Sequence, residues 1–62
     1  MDDVIDEVKT SEKLNVAVQT LRNWRHQRKG PPYVKIGRSV RYLCADIQAY
    51  LDKHRIDPEK VA

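Results

Sequence analysis

The stretch Lys29-Gly30-Pro31-Pro32 limits what this chain can fold into more than any other feature. No helix can run through it, because Pro31 and Pro32 lack backbone N–H groups and each disfavours helix at the residue before it. Gly30 supplies the turn. The break divides 62 residues into two short halves. One small domain with a small core is expected, with little room for a substrate cavity behind a catalytic site.

Upstream of the break the pattern is helical. Asp6 suits an N-cap, and Glu7 suits the positive end of the helix that would follow. Ile5 is expected to fold back on that helix, and Val8, Ser11 and Leu14 fall on one face. Residues 1–4 are expected to be disordered. Asn15 can close the first helix, since Asn tolerates the left-handed conformation. A second helix is expected from Val18 to Arg28. At about 100° per residue, Ala17, Leu21, Trp24 and the stem of Arg28 share one face. Gln19, Arg22, Asn23 and His26 share the opposite face, with Thr20 and Arg25 on the flanks. The short gap between the helices makes a tight helix-turn-helix.

Downstream, Tyr33–Ile36 and Val40–Leu43 are β-prone runs around Gly37-Arg38-Ser39, which reads as a hairpin. Alternation is expected to turn Val34, Ile36, Val40 and Tyr42 inward and Lys35 and Arg41 outward, with Arg38 at the tip. A third helix is expected from Cys44 or Ala45 to His54, with Asp46 in its favourable first turn. Its apolar stripe is Leu43, Ile47, Tyr50 and Leu51. Asp57-Pro58 has the form of a further helix start, but few residues follow it, and 56–62 is expected to be a flexible tail. The expected fold is mostly α with a small β-hairpin: a winged helix-turn-helix over residues 5–55.

Charge is distributed unevenly. The first twelve residues hold Asp2, Asp3, Asp6, Glu7 and Glu12 against Lys9. Between Glu12 and Asp46 there is no acid, while Lys13, Arg22, Arg25, Arg28, Lys29, Lys35, Arg38 and Arg41 are all basic. Such a block makes a positive field suited to a polyanion; a merely solvated basic face is the plainer alternative. On the second helix, Arg pairs well with guanine, and Gln and Asn with adenine, in a major groove. Gln19, Arg22 and Asn23 lie near the N-terminal half, where recognition helices usually touch bases, although any surface helix carries polar residues opposite its core. His26 is placed for a phosphate. Lys35, Arg38 and Arg41, with Ser39 in the turn, can reach a phosphate ridge or a minor groove, or serve only as a charged edge that discourages aggregation.

Other chemistry finds little support. Trp24 is read as a core anchor, and Tyr33, Tyr42 and Tyr50 as packing residues. Cys44, the lone cysteine, cannot form an internal disulfide, fits a reducing compartment and is read as a small half-buried residue. It does not form metal-ligand spacing with His26 and His54, so neither metal nor cofactor is expected. No nucleophile triad, carboxylate pair or phosphate-cradling loop can be assembled, and no enzymatic activity is expected. Neither a signal peptide nor a segment of membrane-spanning length is read, and a cytoplasmic protein is expected.

Leu14-Asn15-Val16, Thr20-Leu21-Arg22-Asn23-Trp24-Arg25, the run Gly30-Pro31-Pro32-Tyr33-Val34-Lys35-Ile36-Gly37-Arg38-Ser39-Val40-Arg41-Tyr42, and Asp46-Ile47-Gln48-Ala49-Tyr50-Leu51 resemble the excisionase-type winged helix-turn-helix family. That family is related to the DNA-binding domain of MerR-type regulators. The resemblance covers Ile5 to Leu51 and is most specific in the wing. It implies a recognition helix around Gln19 to His26, carrying Gln19, Thr20, Arg22, Asn23, Arg25 and His26, and a DNA-contacting wing around Lys35 to Arg41. It departs at Asn15, often Gly in the family, and at Ala17, often Ser or Thr, so the second helix lacks its usual side-chain cap. Lys9 stands where Glu is frequent and Ser11 where Ala is frequent. Members are excisionases of phages and mobile elements or small transcriptional regulators, and a shared fold does not choose between these. With no sensor domain in the sequence, the expectation is an excisionase that bends double-stranded DNA and binds cooperatively with neighbouring copies and an integrase. A stand-alone regulator is the alternative, and a basic protein-interaction module a third reading.

Overall fold

The computed structural model describes residues 3–59. Among these the order is β1 (Val4–Asp6), α1 (Glu7–Leu14), α2 (Val18–His26), β2 (Val34–Ile36), β3 (Ser39–Leu43) and α3 (Cys44–Lys53). The strands form one antiparallel sheet in the order β1-β3-β2. This is a winged helix-turn-helix in which the wing hairpin gains a third strand from the N-terminal segment.

That strand departs from the expected disorder of residues 1–4. Val4 pairs with Leu43, Ile5 with Tyr42 and Asp6 with Arg41, and the Asp3 carbonyl accepts from the Cys44 N–H at 2.8 Å. Met1 and Asp2 lie outside the described residues. Ile5 is buried in the sheet against Tyr42 and Ile47, and Leu14 of α1 packs against that cluster. Three residues are too few to show a period, so the strand is specified by its partner β3 and not by its own pattern.

Local chemistry sets both ends of α1. The Asp6 carboxylate accepts from the Lys9 N–H at 2.8 Å, the expected N-cap. Asn15 adopts φ 55. Its N–H reaches the Glu12 carbonyl and the Val16 N–H reaches that of Ser11, the paired closure of a Schellman motif. The buried face matches the expected one at Ser11 and at Leu14, which packs against the core, but not at Val8. Val8 is exposed, while Thr10 and Ser11 are buried. Burial of these hydroxyls is tolerable because each donates back to a carbonyl of its own helix turn, Thr10 to Asp6 and Ser11 to Val8.

The N-cap of α2, Ala17, makes no side-chain cap bond, and Ala17 is exposed instead of joining the core face. The helix also stops earlier than Arg28. Arg28 has φ 59, its N–H bonds to the Arg25 carbonyl, and the Lys29 N–H bonds to that of Trp24. A left-handed Arg therefore does the work usually given to Gly, and its side chain leaves the Leu21–Trp24 face. Leu21 is fully buried and Trp24 half-buried. Trp24 stacks obliquely on Tyr50 with ring centres 6.1 Å apart.

The wing turn is Gly37-Arg38, with Arg38 at the tip as expected, and Ser39 already belongs to β3. This two-residue connection pairs Ile36 with Ser39 and Val34 with Arg41. Opposed residues share a face and successive residues alternate. Val34 and Ile36 therefore lie on the face opposite Val40 and Tyr42, contrary to the expectation that all four point inward. Ile36 is 64% and Val34 37% exposed, whereas Tyr42 is 1% exposed. Arg41, expected outward, is half-buried. The core consists of Ile5, Tyr42 and Ile47, flanked by Leu14, Val40 and Cys44.

Of the stripe expected for α3, Ile47 is buried, Tyr50 and Leu43 (the last residue of β3) are half-buried and Leu51 is exposed, so it is narrower than expected. His54 caps the helix and lies 4.3 Å from the Tyr50 ring. Among the described residues Asp57-Pro58 opens a turn, in which the Glu59 N–H bonds to the Asp57 carboxylate; the rest of the expected tail, 60–62, lies outside them.

Gly30 has φ +90, and a Cβ there would stand 2.8 Å from Trp24 Cε3. Gly30→Ala is expected to lower stability by at least the roughly 1–2 kcal/mol of a left-handed side chain, since the ring must also shift. Thermal melting followed by Trp24 fluorescence checks this. Asp6→Ala is expected to cost about 1 kcal/mol through removal of the cap, read by chemical denaturation.

Candidate nucleic-acid interface

Three elements converge beside the wing. The three-residue turn Asn15-Val16-Ala17 sets α2 across α1, and β3 runs past both. A groove of about 340 Å³ lies where they meet, lined by Asp6, Glu7, Arg25, Arg38, Ser39 and Arg41 among others. The structure thus brings one flank of α2 together with the basic end of the wing.

The link is made by side chains. Arg25 donates to the Tyr42 hydroxyl at 2.9 Å and to the Glu7 carboxylate at 3.2 Å, and its guanidinium carbon lies 5.8 Å from the centre of the Tyr33 ring. Arg22 reaches the same carboxylate with Nε at 3.3 Å and Nη2 at 2.8 Å. Arg22 and Arg25 are three positions apart on α2, so both extend from one side of the helix. Glu7, the first residue of α1, answers them.

The electrostatics follow from this geometry. The Arg22 hydrogen bond pulls the Glu7 carboxyl below its ordinary value; partial burial opposes this, and Arg25 adds to it. The hydrogen bond from Glu7 raises Arg22 in turn. Partial burial works against the charge on Arg25, but its bonds to Tyr42 and Glu7 outweigh that and the net shift is upward.

The other residues singled out from sequence sit as follows. Gln19 and Asn23 are exposed one turn apart, and the Gln19 amide donates to Asn23 Oδ1 at 3.0 Å. Thr20 is half-buried and His26 exposed. Lys35, Arg38 and Ser39 are exposed on the wing, while Arg41 lies lower and donates to the Val40 carbonyl. The wing and the Arg25 flank of α2 share the groove; Lys35 and His26 do not line it.

Two residues escape a reading from sequence. The local pattern assigns Glu7 only to the helix end, because an ion pair spanning fifteen positions leaves no local signal. It assigns Arg28 to a helix face, whereas Arg28 lines a second hollow with Arg25, Lys29 and Tyr33. The signal for Arg28 is its place just ahead of the Gly-Pro-Pro break, where a left-handed residue is needed.

Elsewhere, a larger hollow of about 650 Å³ is lined by Trp24, Gly30, Ala49, Tyr50 and His54 among others, and includes none of the candidate DNA-contact residues. Among the described residues no group of His, Cys, Asp and Glu can hold a metal ion, and no helix is long and apolar enough to cross a membrane.

The Glu7 carboxyl titrates lower in the folded chain than in the unfolded one. Its pairs therefore stabilise fully above the ordinary glutamate value, and that stability is lost as pH falls through the folded value. The melting temperatures of the parent and Glu7→Gln are expected to differ near neutrality and to converge in strong acid; equal offsets at both ends would remove the pairing from the stability balance.

No curated protein and no solved structure matches the chain. The family model described as a helix-turn-helix domain matches residues 9–55, which span the turn between α1 and α2, the wing and α3. The chain belongs to the helix-turn-helix domain family, and it is a DNA-binding protein.

Proposed function

We propose that this protein is an excisionase-like accessory factor of site-specific recombination, which binds and bends double-stranded DNA so that an integrase assembles the excisive complex. The observation that carries the DNA interface is the Arg25–Tyr42 bond, which fixes the exposed polar face of α2 relative to a basic wing. Support for the excisionase role comes from the resemblance concentrated in Gly30 to Tyr42, and the role is one of binding, not catalysis.

In this reading α2 enters the major groove. Arg22 reads guanine, and Gln19 and Asn23 read adenine. Their mutual hydrogen bond leaves an acceptor on Gln19 and donors on Asn23 for a base edge. Thr20 and His26 flank them toward the phosphates. Lys35, Arg38, Ser39 and Arg41 bring the wing to a phosphate ridge or the adjacent minor groove. One domain of this size offers a small interface, so specific binding needs neighbouring copies on adjacent sites.

The test is a gel-shift titration on a fragment spanning a candidate attachment site, with salt varied and random DNA as control. A ladder of cooperative, bent, salt-sensitive complexes is expected. One discrete complex on an inverted repeat would replace this reading with that of a transcriptional regulator, and no complex at low salt would end both. Asn23→Ala is expected to cost about 1–3 kcal/mol on the specific site and little on random DNA. Arg38→Ala is expected to weaken both alike and to flatten the salt slope by about 0.9 for each phosphate left unneutralised.

A further inference from the structure

We propose that Glu7 is a specificity-determining residue of the DNA interface: it holds Arg22 side-on, leaves the end of that guanidinium for guanine, and penalises phosphate contact at non-cognate sites. The proposal rests on the reading of α2 as the recognition helix.

The geometry has a defined polarity. Arg22 presents Nε to Oε1 and Nη2 to Oε2 of Glu7, the side-on form of a bidentate pair. A guanidinium has five N–H groups, and this contact uses two. Both hydrogens of Nη1 and one of Nη2 remain. One hydrogen from each Nη forms the end-on fork that matches the O6 and N7 acceptors of guanine. Glu7 therefore does not consume the reading edge of Arg22; it fixes where that edge points. A long side chain held in advance loses less freedom when the base arrives.

Arg25 completes the support. It grips Oε1 of Glu7 while donating to the Tyr42 hydroxyl, and Tyr42 is buried in the core. The carboxylate is thereby tied to the sheet and cannot swing with Arg22. Arg25, which the family resemblance implies as a DNA contact, acts here as a positioning residue for Glu7.

Charge supplies the discrimination. Between Glu12 and Asp46 the chain has no acid, yet the fold carries Glu7 into that basic face from α1. An Arg with no acid beside it binds any phosphate. Here a phosphate that approaches Arg22 or Arg25 also meets a carboxylate, so the general attraction of DNA is reduced while the guanine contact is preserved. Specificity gained through a repulsive element is a difference between two affinities.

The experiment selects binding sites from a randomised duplex library with the parent chain, Glu7→Gln, Glu7→Ala and Arg22→Lys, and titrates each on one random-sequence duplex. Circular dichroism and melting confirm that each variant is folded. The parent is expected to enrich guanine at a position that Arg22→Lys loses. Both Glu7 variants are expected to lose that same guanine and to bind the random duplex several-fold tighter, whereas Arg22→Lys, which keeps its charge and its acid, gains no such affinity. Guanine retained by the Glu7 variants, or random-duplex affinity unchanged or weakened in them, overturns the role of Glu7 while leaving DNA binding by α2 intact. A parent chain that binds no duplex overturns the recognition-helix reading itself.

Discussion

The hydrogen bond from Arg25 to the Tyr42 hydroxyl is where the inside of this molecule meets the surface shared by α2 and the wing. Tyr42 sits on the central strand, pairs with Ile5 on one side and packs on Ile47 below. A phenol so deeply buried needs a partner for its hydroxyl. Arg25 is the partner, and its own charge, only partly exposed, is answered by Glu7. Each member of this series is satisfied by the next, from core to helix to surface. The angle between α2 and the wing is held by a bond whose loss would leave a polar group stranded in the core.

A second constraint comes from the Gly-Pro-Pro break. The helix must finish before Pro31, and it does so with Arg28 in a conformation that costs a side-chain-bearing residue about 1–2 kcal/mol. Gly30 then passes so close to Trp24 that no Cβ fits without displacement of the ring. The same few residues thus end α2, seat the Trp24–Tyr50 contact and launch the wing. That economy suits a domain too small to hold a separate brace for each task.

The helices are legible in the sequence because their signals are local. Asp6 as N-cap, Asn15 in the left-handed region and the missing side-chain cap at Ala17 can all be read within a few positions, and so can a hairpin around Gly37. What escapes is non-local or a matter of parity. Val4–Asp6 become a strand only because Arg41–Leu43 are there to receive them. Val34 and Ile36 are apolar and alternate correctly, yet a two-residue turn puts them on the face opposite Val40 and Tyr42; a turn one residue longer would have made the opposite assignment right. Of the interface, the exposed face of α2 and Arg38 at the tip of the wing can be read directly. The engagement of Arg22 and Arg25 by Glu7 cannot, because it depends on how α1 crosses α2.

The strand at Val4–Asp6 also bears on how the chain reaches this structure. Its partners lie on the far side of both helices and the first wing strand, so pairing Ile5 with Tyr42 closes a loop containing most of the domain. Such closures must meet their entropic cost before the contacts return it. Asp6 occupies the last rung of that strand and also caps α1, so the first helix and the sheet share a residue as well as a core. Helices this short are marginal alone in water. Assembly of the helix-turn-helix is therefore coupled to completion of the wing, and a growing chain cannot complete the sheet that carries its first helix until Tyr42 has emerged.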